Sequence, residues 1–292
     1  MSPDVRKKLG KMAKKRLQKL LAQAGLGSRR EIEGWIARGE VRVNGEVAIL
    51  GTQADLTDRI EVRGKLLRLQ DKPFERRVLI YHKPEGELTT RQDPKGRPTV
   101  FEALPPIRQG RWITVGRLDI NTSGLLLITN DGELANRLMH PSYEIQRLYA
   151  VRVLGGLTPE QQQAMLDGVE LEDGPARFES IIEAGGTGAN RWYHVSLREG
   201  RNREVRRLVE SQGVTVSRLI RIGYAGITLP PRLRPGRSEA LDLDTVNALA
   251  TLVGLPKQSA PKKMPDAHAQ RRATKPYPAS RGTRLARRQG RK

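Results

Sequence analysis

Apolar positions between residues 16 and 72 recur first at helical and then at strand spacing. Leu17, Leu20, Leu21 and Ala24 fall at i, i+3, i+4 and i+7, which predicts an amphipathic helix ended by Gly25 and Gly27. Ser28-Arg29-Arg30-Glu31 carries the Ser and Glu of a capping box. It opens a second helix whose apolar face is Ile32, Trp35 and Ile36 and whose stop is Gly39. Val41 and Val43 ahead of Asn44-Gly45 predict a strand and tight hairpin, and Ile60 and Val62 a further strand. A small domain over about 16–72 follows.

The pattern is richer from 75 to 250. Val78, Ile80 and Tyr81 open a strand, and residues 82–105, rich in Pro and Gly, predict a long ordered loop. Trp112, Thr114 and Gly116 alternate with Ile113 and Val115 as in a strand. A tight loop from Arg117 to Gly124 precedes a second strand, Leu125 to Thr129. Asn130-Asp131-Gly132 turns into a helix bearing Leu134, Leu138 and Met139. Further strands are expected near 148–153, 192–197 and 216–222, and a helix over 202–211 with Val205, Leu208 and Val209 inward. Strands and helices mix without regular βαβ alternation or internal repeat. The expected class is α+β: a central, mostly antiparallel mixed sheet with flanking helices, preceded by the small α/β domain.

Charge changes the picture at the two ends. The 292 residues carry 53 basic and 32 acidic side chains, a net charge of +21. Residues 1–15 account for +5, residues 256–292 for +11, and everything between for only +5. Residues 1–15 read as a basic extension and 256–292 as a disordered basic tail, which neutralises phosphates without reading sequence. A polyanionic partner is expected, nucleic acid or an anionic surface. Cysteine is absent, which excludes disulfides, thiolate chemistry and cysteine-ligated metals. Leu125-Leu126-Leu127-Ile128 is too short to span a bilayer, and the Lys-rich N-terminus lacks the apolar stretch of a signal peptide. A cytoplasmic, nucleic-acid-facing protein is the expectation, and a monomer, since no broad exposed apolar stripe is visible.

Common catalytic motifs are missing. No phosphate-binding G-x-x-x-x-G-K-[ST] or G-x-S-x-G occurs, and Gly185-Gly186-Thr187-Gly188 lacks the third glycine of a dinucleotide loop and reads as a hairpin turn. His82, His140, His194 and His268 show no metal spacing. No metal and no nucleotide cofactor is expected. What remains is Asp119, in a glycine-bounded turn between two apolar strands. Two readings stand open: an aspartate capping its own turn, or a partly buried carboxylate kept ionised by a cation from elsewhere. The run from Glu199 to Arg207 offers candidates, with Arg203 and Arg206 three apart on a helix.

These motifs carry resemblances. "GLGSRREIEGWIARGEVRVNG" at 25–45, with its helix and strands, resembles the S4 RNA-binding module. The likeness implies that Arg16, Lys19, Arg29, Arg30 and Arg38 form an RNA-backbone surface. "GRLDINTSGLLLITNDGEL" at 116–134 resembles the catalytic motif of pseudouridine synthases. "YHKPEGELTTRQDPKGRPTVFEALP" at 81–105, "QRLYAVRV" at 146–153 and "EGRNREVRRL" at 199–208 are similar to flanking motifs of the family's small-subunit synthase A branch.

The resemblance covers about 16–250. It implies a cofactor-free isomerisation of a uridine in RNA: the N-glycosidic bond breaks, the uracil turns, and C5 bonds to C1′. It makes Asp119 the essential carboxylate, either attacking C1′ or acting as a base through a glycal. It pairs Arg206 with Asp119, stacks Tyr149 on the target base with a share in proton transfer, and lets Arg117 fill the space left by the flipped uridine. Asn121, Thr122 and Ser123 shape the loop, and Gly124 tolerates no side chain. The position two before the tyrosine, often Lys in the family, is Arg147 here. The implied substrate is large-subunit (23S) ribosomal RNA, in domain V near the peptidyl-transferase centre, free or in an assembling subunit. The rivals are a non-catalytic ribosome assembly factor with the same S4-like module and an S4-linked RNA methyltransferase. The latter would need a glycine-rich cofactor loop after a strand.

Overall fold

The computed structural model describes residues 14–67, 69, 74–107 and 110–259. Residues 1–13 and 260–292, most of the two basic ends, lie outside the described residues.

The first part follows the predicted pattern. Strand β1 (Lys15–Arg16) leads into α1 (Leu17–Gln23) and α2 (Arg29–Ala37), followed by β2 (Val41–Val43), β3 (Glu46–Val47), β4 (Gln53–Ala54), β5 (Ile60–Val62) and β6 (Lys65–Leu67). The capping box forms as read: the Glu31 amide donates to Ser28 Oγ at 3.1 Å and the Ser28 amide to Glu31 Oε2 at 2.6 Å. Leu17, Leu21, Ile32, Val41 and Ile60 are fully enclosed between the two helices and the β3-β2-β5-β6 sheet. Lys15, read as part of a basic extension, pairs instead with Ala54.

The larger part contains β7 (Val78–Lys83), β8 (Ile113–Thr114), β9 (Ser123–Thr129), α3 (Gly132–Met139) and β10 (Arg147–Leu154). It continues with α4 (Pro159–Asp167), β11 (Val169–Leu171), β12 (Gly174–Ala176), β13 (Ser180–Thr187) and β14 (Asn190–Leu197). Then come α5 (Glu204–Glu210), β15 (Val216–Tyr224), β16 (Ile227–Thr228), β17 (Ser238–Ala240) and α6 (Leu243–Leu252). The main sheet runs β13-β14-β10-β15-β9-β7-β17, with β16 on β15 and β8 on β9. Every pairing in it is antiparallel except β15 with β9.

Strand β9 is buried along its whole length, as a continuous apolar run requires. Its alternate residues serve two cores. Leu125 and Leu127 pack with Leu134 and Leu138 of α3 and with Val246 and Leu249 of α6. Leu126 and Ile128 pack with Leu79, Tyr81, Val100, Trp112 and Leu118. That second face is covered by the long loop between β7 and β9, not by a helix, and buried Leu118 fastens the loop directly beside Asp119. The other half of the sheet packs Val151, Val153 and Val195 against Met165 of α4 and Leu208 of α5.

Three departures from the sequence reading have physical reasons. The strand expected over 112–116 is only Ile113–Thr114, because Gly116 takes φ +77° and turns the chain. The helix expected from 202 begins at Glu204, because Arg203 is left-handed at φ 49°. Residues 256–258, read as tail, are strapped to the segment before β7: Gln258 Nε2 donates to the Phe74 carbonyl at 2.6 Å and Arg76 Nη1 to the Pro256 carbonyl at 3.1 Å. No described helix is long and apolar enough to cross a membrane.

Candidate active site

The loop from Asp119 to Leu125 is held by its carbonyls. Lys83 ends β7 with no exposed surface. Its ammonium donates to the carbonyls of Pro84 (3.0 Å), Asp119 (3.0 Å) and Thr122 (2.9 Å). Arg206, on α5, donates Nη2 to the Asn121 carbonyl at 2.9 Å and Nη1 to that of Val216 at 3.0 Å. Arg221, on β15, donates Nε to the Leu125 carbonyl at 2.7 Å. Three buried cations thus fix four carbonyls in seven residues. The Thr122 amide closes the turn onto the Asp119 carbonyl at 3.0 Å.

Register explains how distant segments meet here. Tyr149 pairs with Arg221, Arg221 with Gly124, and Gly124 with Lys83, so one row crosses β10, β15, β9 and β7. Gly124 has φ +109°, and a Cβ there would collide with the Arg221 carbonyl oxygen and lie 2.6 Å from its amide nitrogen. The glycine is required by this close approach as well as by its backbone angle.

The Asp119 side chain is half-buried, and no hydrogen bond reaches its carboxylate among the described residues. The capping reading therefore does not hold: backbone and lysine close the turn, and the carboxylate is left free. The direct Asp119–Arg206 pair implied by the family likeness is not formed either. Arg206 grips the backbone two residues away, and the Asp119 charge acts on it only through space. Arg203 and Arg206 do not share a face; Arg203 caps the helix and is exposed, whereas Arg206 is 7% exposed. Among the described residues, Arg206 Nε, Arg221 Nη2 and Thr122 Oγ1 are buried without a partner.

Burial of cations without carboxylate partners costs free energy. It lowers the pKa of Arg206, and it lowers that of Lys83 to about 8, despite the opposing charges of Glu87, Asp119 and Glu85. Arg147 is also buried with no ion pair among the described residues. Its guanidinium donates to the Ile145 and Arg198 carbonyls, each at 2.6 Å, and lies 5.3 Å from the Tyr224 ring, over which Arg221 also sits at 4.8 Å. The flat guanidinium can stack on the Tyr224 ring as it donates, which a lysine ammonium cannot do by shape. The site floor is accordingly electropositive.

The remaining predicted residues separate. Tyr149 is half-buried on β10 against the core that holds Val151, Val195 and Leu208. Arg117 and Asn121 are exposed, with no ion pair to Arg117 among the described residues. Arg16, Lys19 and Arg29 line one cleft of about 470 Å³ with Lys14, Lys15 and Glu33. Arg30 and Arg38 lie outside it, and Arg38 is paired with Glu40 at 2.6 Å. Lys19 is already engaged, 3.0 Å from Glu133 of α3. Sequence reasoning missed Lys83 and Arg221. The signal for Lys83 was its place at the end of an apolar strand before proline. No described group of acidic and histidine side chains could hold a metal.

Comparison with known proteins shows the family and the fold. The RNA pseudouridylate synthase family model matches residues 77–211 and the S4 domain model residues 15–60. A Pseudomonas aeruginosa protein named ribosomal large subunit pseudouridine synthase B is 57% identical over 248 residues, covering 84% of this chain and 64% of that protein. The matched stretch is therefore less than two thirds of that relative. A Salmonella typhimurium protein of the same name is 55% identical over 250 residues, covering 85% of this chain and 86% of its own. The small-subunit branch is not the grouping these names support. A crystal structure of a pseudouridylate synthase superposes with TM-score 0.57 at 24% identity, covering 80% of this chain and 99% of that one, which shows the fold. The chain belongs to the pseudouridine synthase family of RNA-modifying isomerases, with an S4 domain ahead of the synthase fold.

Proposed function

We propose that the protein converts one uridine of large-subunit (23S) ribosomal RNA to pseudouridine, in domain V near the peptidyl-transferase centre. Asp119 is the essential carboxylate. The observation that carries this reading is the contrast within one loop: four carbonyls are held by buried cations, while the Asp119 carboxylate accepts no hydrogen bond among the described residues. A group held in place but unpaired is preorganised to act on a substrate. The cations beneath it hold its loop in place, and a carboxylate nucleophile or base must be ionised to act.

The target uridine leaves its stack at a cost of a few kcal/mol. Exposed Arg117, with Asn121 and Thr122 behind it, fills the vacated space, and Tyr149 stacks on the uracil. Arg206 acts on Asp119 through the backbone it holds. Arg16 and Arg29, with Lys19 once it leaves Glu133, contact RNA phosphates from the S4 cleft, and the basic tail adds to that affinity. Two routes remain distinct for Asp119, attack at C1′ and proton removal at C2′ to a glycal. Deuterium at C2′ separates them, because only the glycal route shows a primary isotope effect.

The test is pseudouridine mapping on 23S RNA and on precursor large subunits, beside the Asp119→Ala variant. One modified uridine, absent with the variant and with RNA binding retained, is expected. Failure on both substrates would leave an RNA-binding assembly factor.

A further inference from the structure

Of the three tryptophans, two are used by cores. Trp35 packs in the S4 part. Trp112 is buried beside β9 and donates Nε1 to the Pro105 carbonyl at 2.7 Å. Trp192, on β14, is half-buried and joins none of the hydrophobic cores among the described residues.

Strand alternation places it. Val151, Val153, Tyr193 and Val195 face α4 and α5, so the residues between them face the opposite side of the sheet. That side carries Arg152 and Leu154 of β10, Trp192 and His194 of β14 and Ile182 of β13. Leu154 and Ile182 are 63% and 60% exposed, so this stretch of sheet is open. The Arg152 guanidinium lies 5.7 Å from the Trp192 ring centre and donates Nε to Ser217 Oγ at 3.0 Å. It forms no ion pair among the described residues. Glu183 of β13 pairs with Tyr193, so its carboxylate belongs to the other face.

The open face continues toward the Asp119 loop. Arg152 pairs in register with Arg218 of β15. Two strand spacings, about 10 Å, separate Trp192 from Arg218. Arg218 stands 3.7 Å from Glu85, and at 49% and 48% exposure this pair is loose. Glu85 lies between two residues attached to the loop. The Pro84 carbonyl shares the Lys83 ammonium with that of Asp119, and the Gly86 amide donates to the Ile120 carbonyl at 2.8 Å. An indole and two planar cations on an open strand surface suit unpaired nucleotides: bases stack on π faces, and guanidinium groups take phosphates.

We infer that this face binds unpaired nucleotides of the substrate RNA near the target uridine, a base stacking on Trp192 and phosphates meeting Arg152 and Arg218. The inference rests on the RNA-isomerase reading. Trp192→Ala should weaken binding of a 23S domain V transcript about 5- to 150-fold, and Trp192→Phe, which keeps a π face, should weaken it less. Stacking releases no counterion, so the slope of log K against log salt should stay parental in Trp192→Ala. Arg152→Gln should lower that slope by about 0.7. The transcript should quench tryptophan fluorescence in the parent, and Trp192→Phe should lose most of that quenching, since Trp112 is enclosed in its core. The quenching decides alone if Trp192→Ala does not fold.

With a parent that isomerises 23S RNA, binding by Trp192→Ala within twofold of the parent, or quenching that survives in Trp192→Phe, overturns the role of this face alone. A dimer of the parent in sedimentation that Trp192→Ala dissociates makes the face a contact between two copies and also overturns it. A parent that neither binds nor isomerises 23S RNA overturns the underlying reading as well.

Discussion

Lys83 has no exposed surface and three carbonyl partners, and it determines how the Asp119 loop responds to pH. Burial lowers its pKa from 10.5 to about 8. Between those values the unfolded chain binds more protons than the folded one, so this group makes stability rise with pH. Activity should move the other way: above about pH 8 the neutral amine has two N–H donors for three carbonyls, and the positive charge near Asp119 is gone. The expected outcome is a single-turnover rate about tenfold lower one unit above the pKa, without a matching loss of stability in urea titrations at the same pH. Lys83→Met should remove that alkaline limb and cost about 2–4 kcal/mol by leaving carbonyls unpaired. Gly124 tests the same loop sterically. Gly124→Ala must displace the Arg221 backbone or strain a φ of +109°, and should cost about 3 kcal/mol or more by urea unfolding. A Gly124→Ala protein of parental stability would mean that β9 and β15 separate without penalty.

At the scale of elements, local signals set what could be read in advance. The Ser28–Glu31 capping box was visible because both partners lie within one turn, and Ser28→Ala should cost about 1 kcal/mol. That is about fivefold faster hydrogen exchange at the α2 amides if they open locally; unchanged exchange would make the cap redundant. Strands β7, β9, β10, β14 and β15 were legible from apolar alternation or runs, and α3 from the helical spacing of Leu134 and Leu138. Helix α4 was not legible from apolar spacing, since Met165 is its one buried residue, although Thr158 and Gln161 form a capping box ahead of it. Helix α6, not expected from the sequence, does carry a local signal: Asp242 as cap and Val246, Leu249 and Ala250 inward. The site divides the same way. Asp119 stood out because a glycine-bounded turn between apolar strands isolates it. Lys83 and Arg221 did not, because a cation in a strand reads as solvated, and their partners lie 36–39 and 96 residues away in sequence. The expected Asp119–Arg206 pair failed for a related reason: sequence shows that a cation is present, not whether it grips carboxylate or backbone.

Across the whole molecule, charge is divided between a fold that is nearly balanced and ends that are not. Residues 1–15 and 256–292 hold +16 of the net +21. Packing redraws that division, since Lys15 of β1 pairs with Ala54 of β4 and residues 256–258 are strapped beside Phe74 and Arg76. The S4 cleft gathers Lys14, Lys15, Arg16, Lys19 and Arg29 against a single acidic residue, Glu33. If the cleft holds RNA phosphates, each phosphate left without its cation should lower the slope of log K against log salt by about 0.7 to 0.9. Replacing Lys15, Arg16 and Arg29 together by Gln should therefore reduce that slope by about 2 to 3, while the single-turnover rate at saturating RNA stays at the parental value. A chain ending at Ser259 keeps the Gln258 strap intact and tests the tail without disturbing the fold. It should also bind more weakly, with a shallower salt slope. A slope that falls in the shortened chain and not in the cleft variant would place the phosphate-binding cations in the tail and leave the cleft as a surface between the S4 part and α3, held by Lys19 and Glu133.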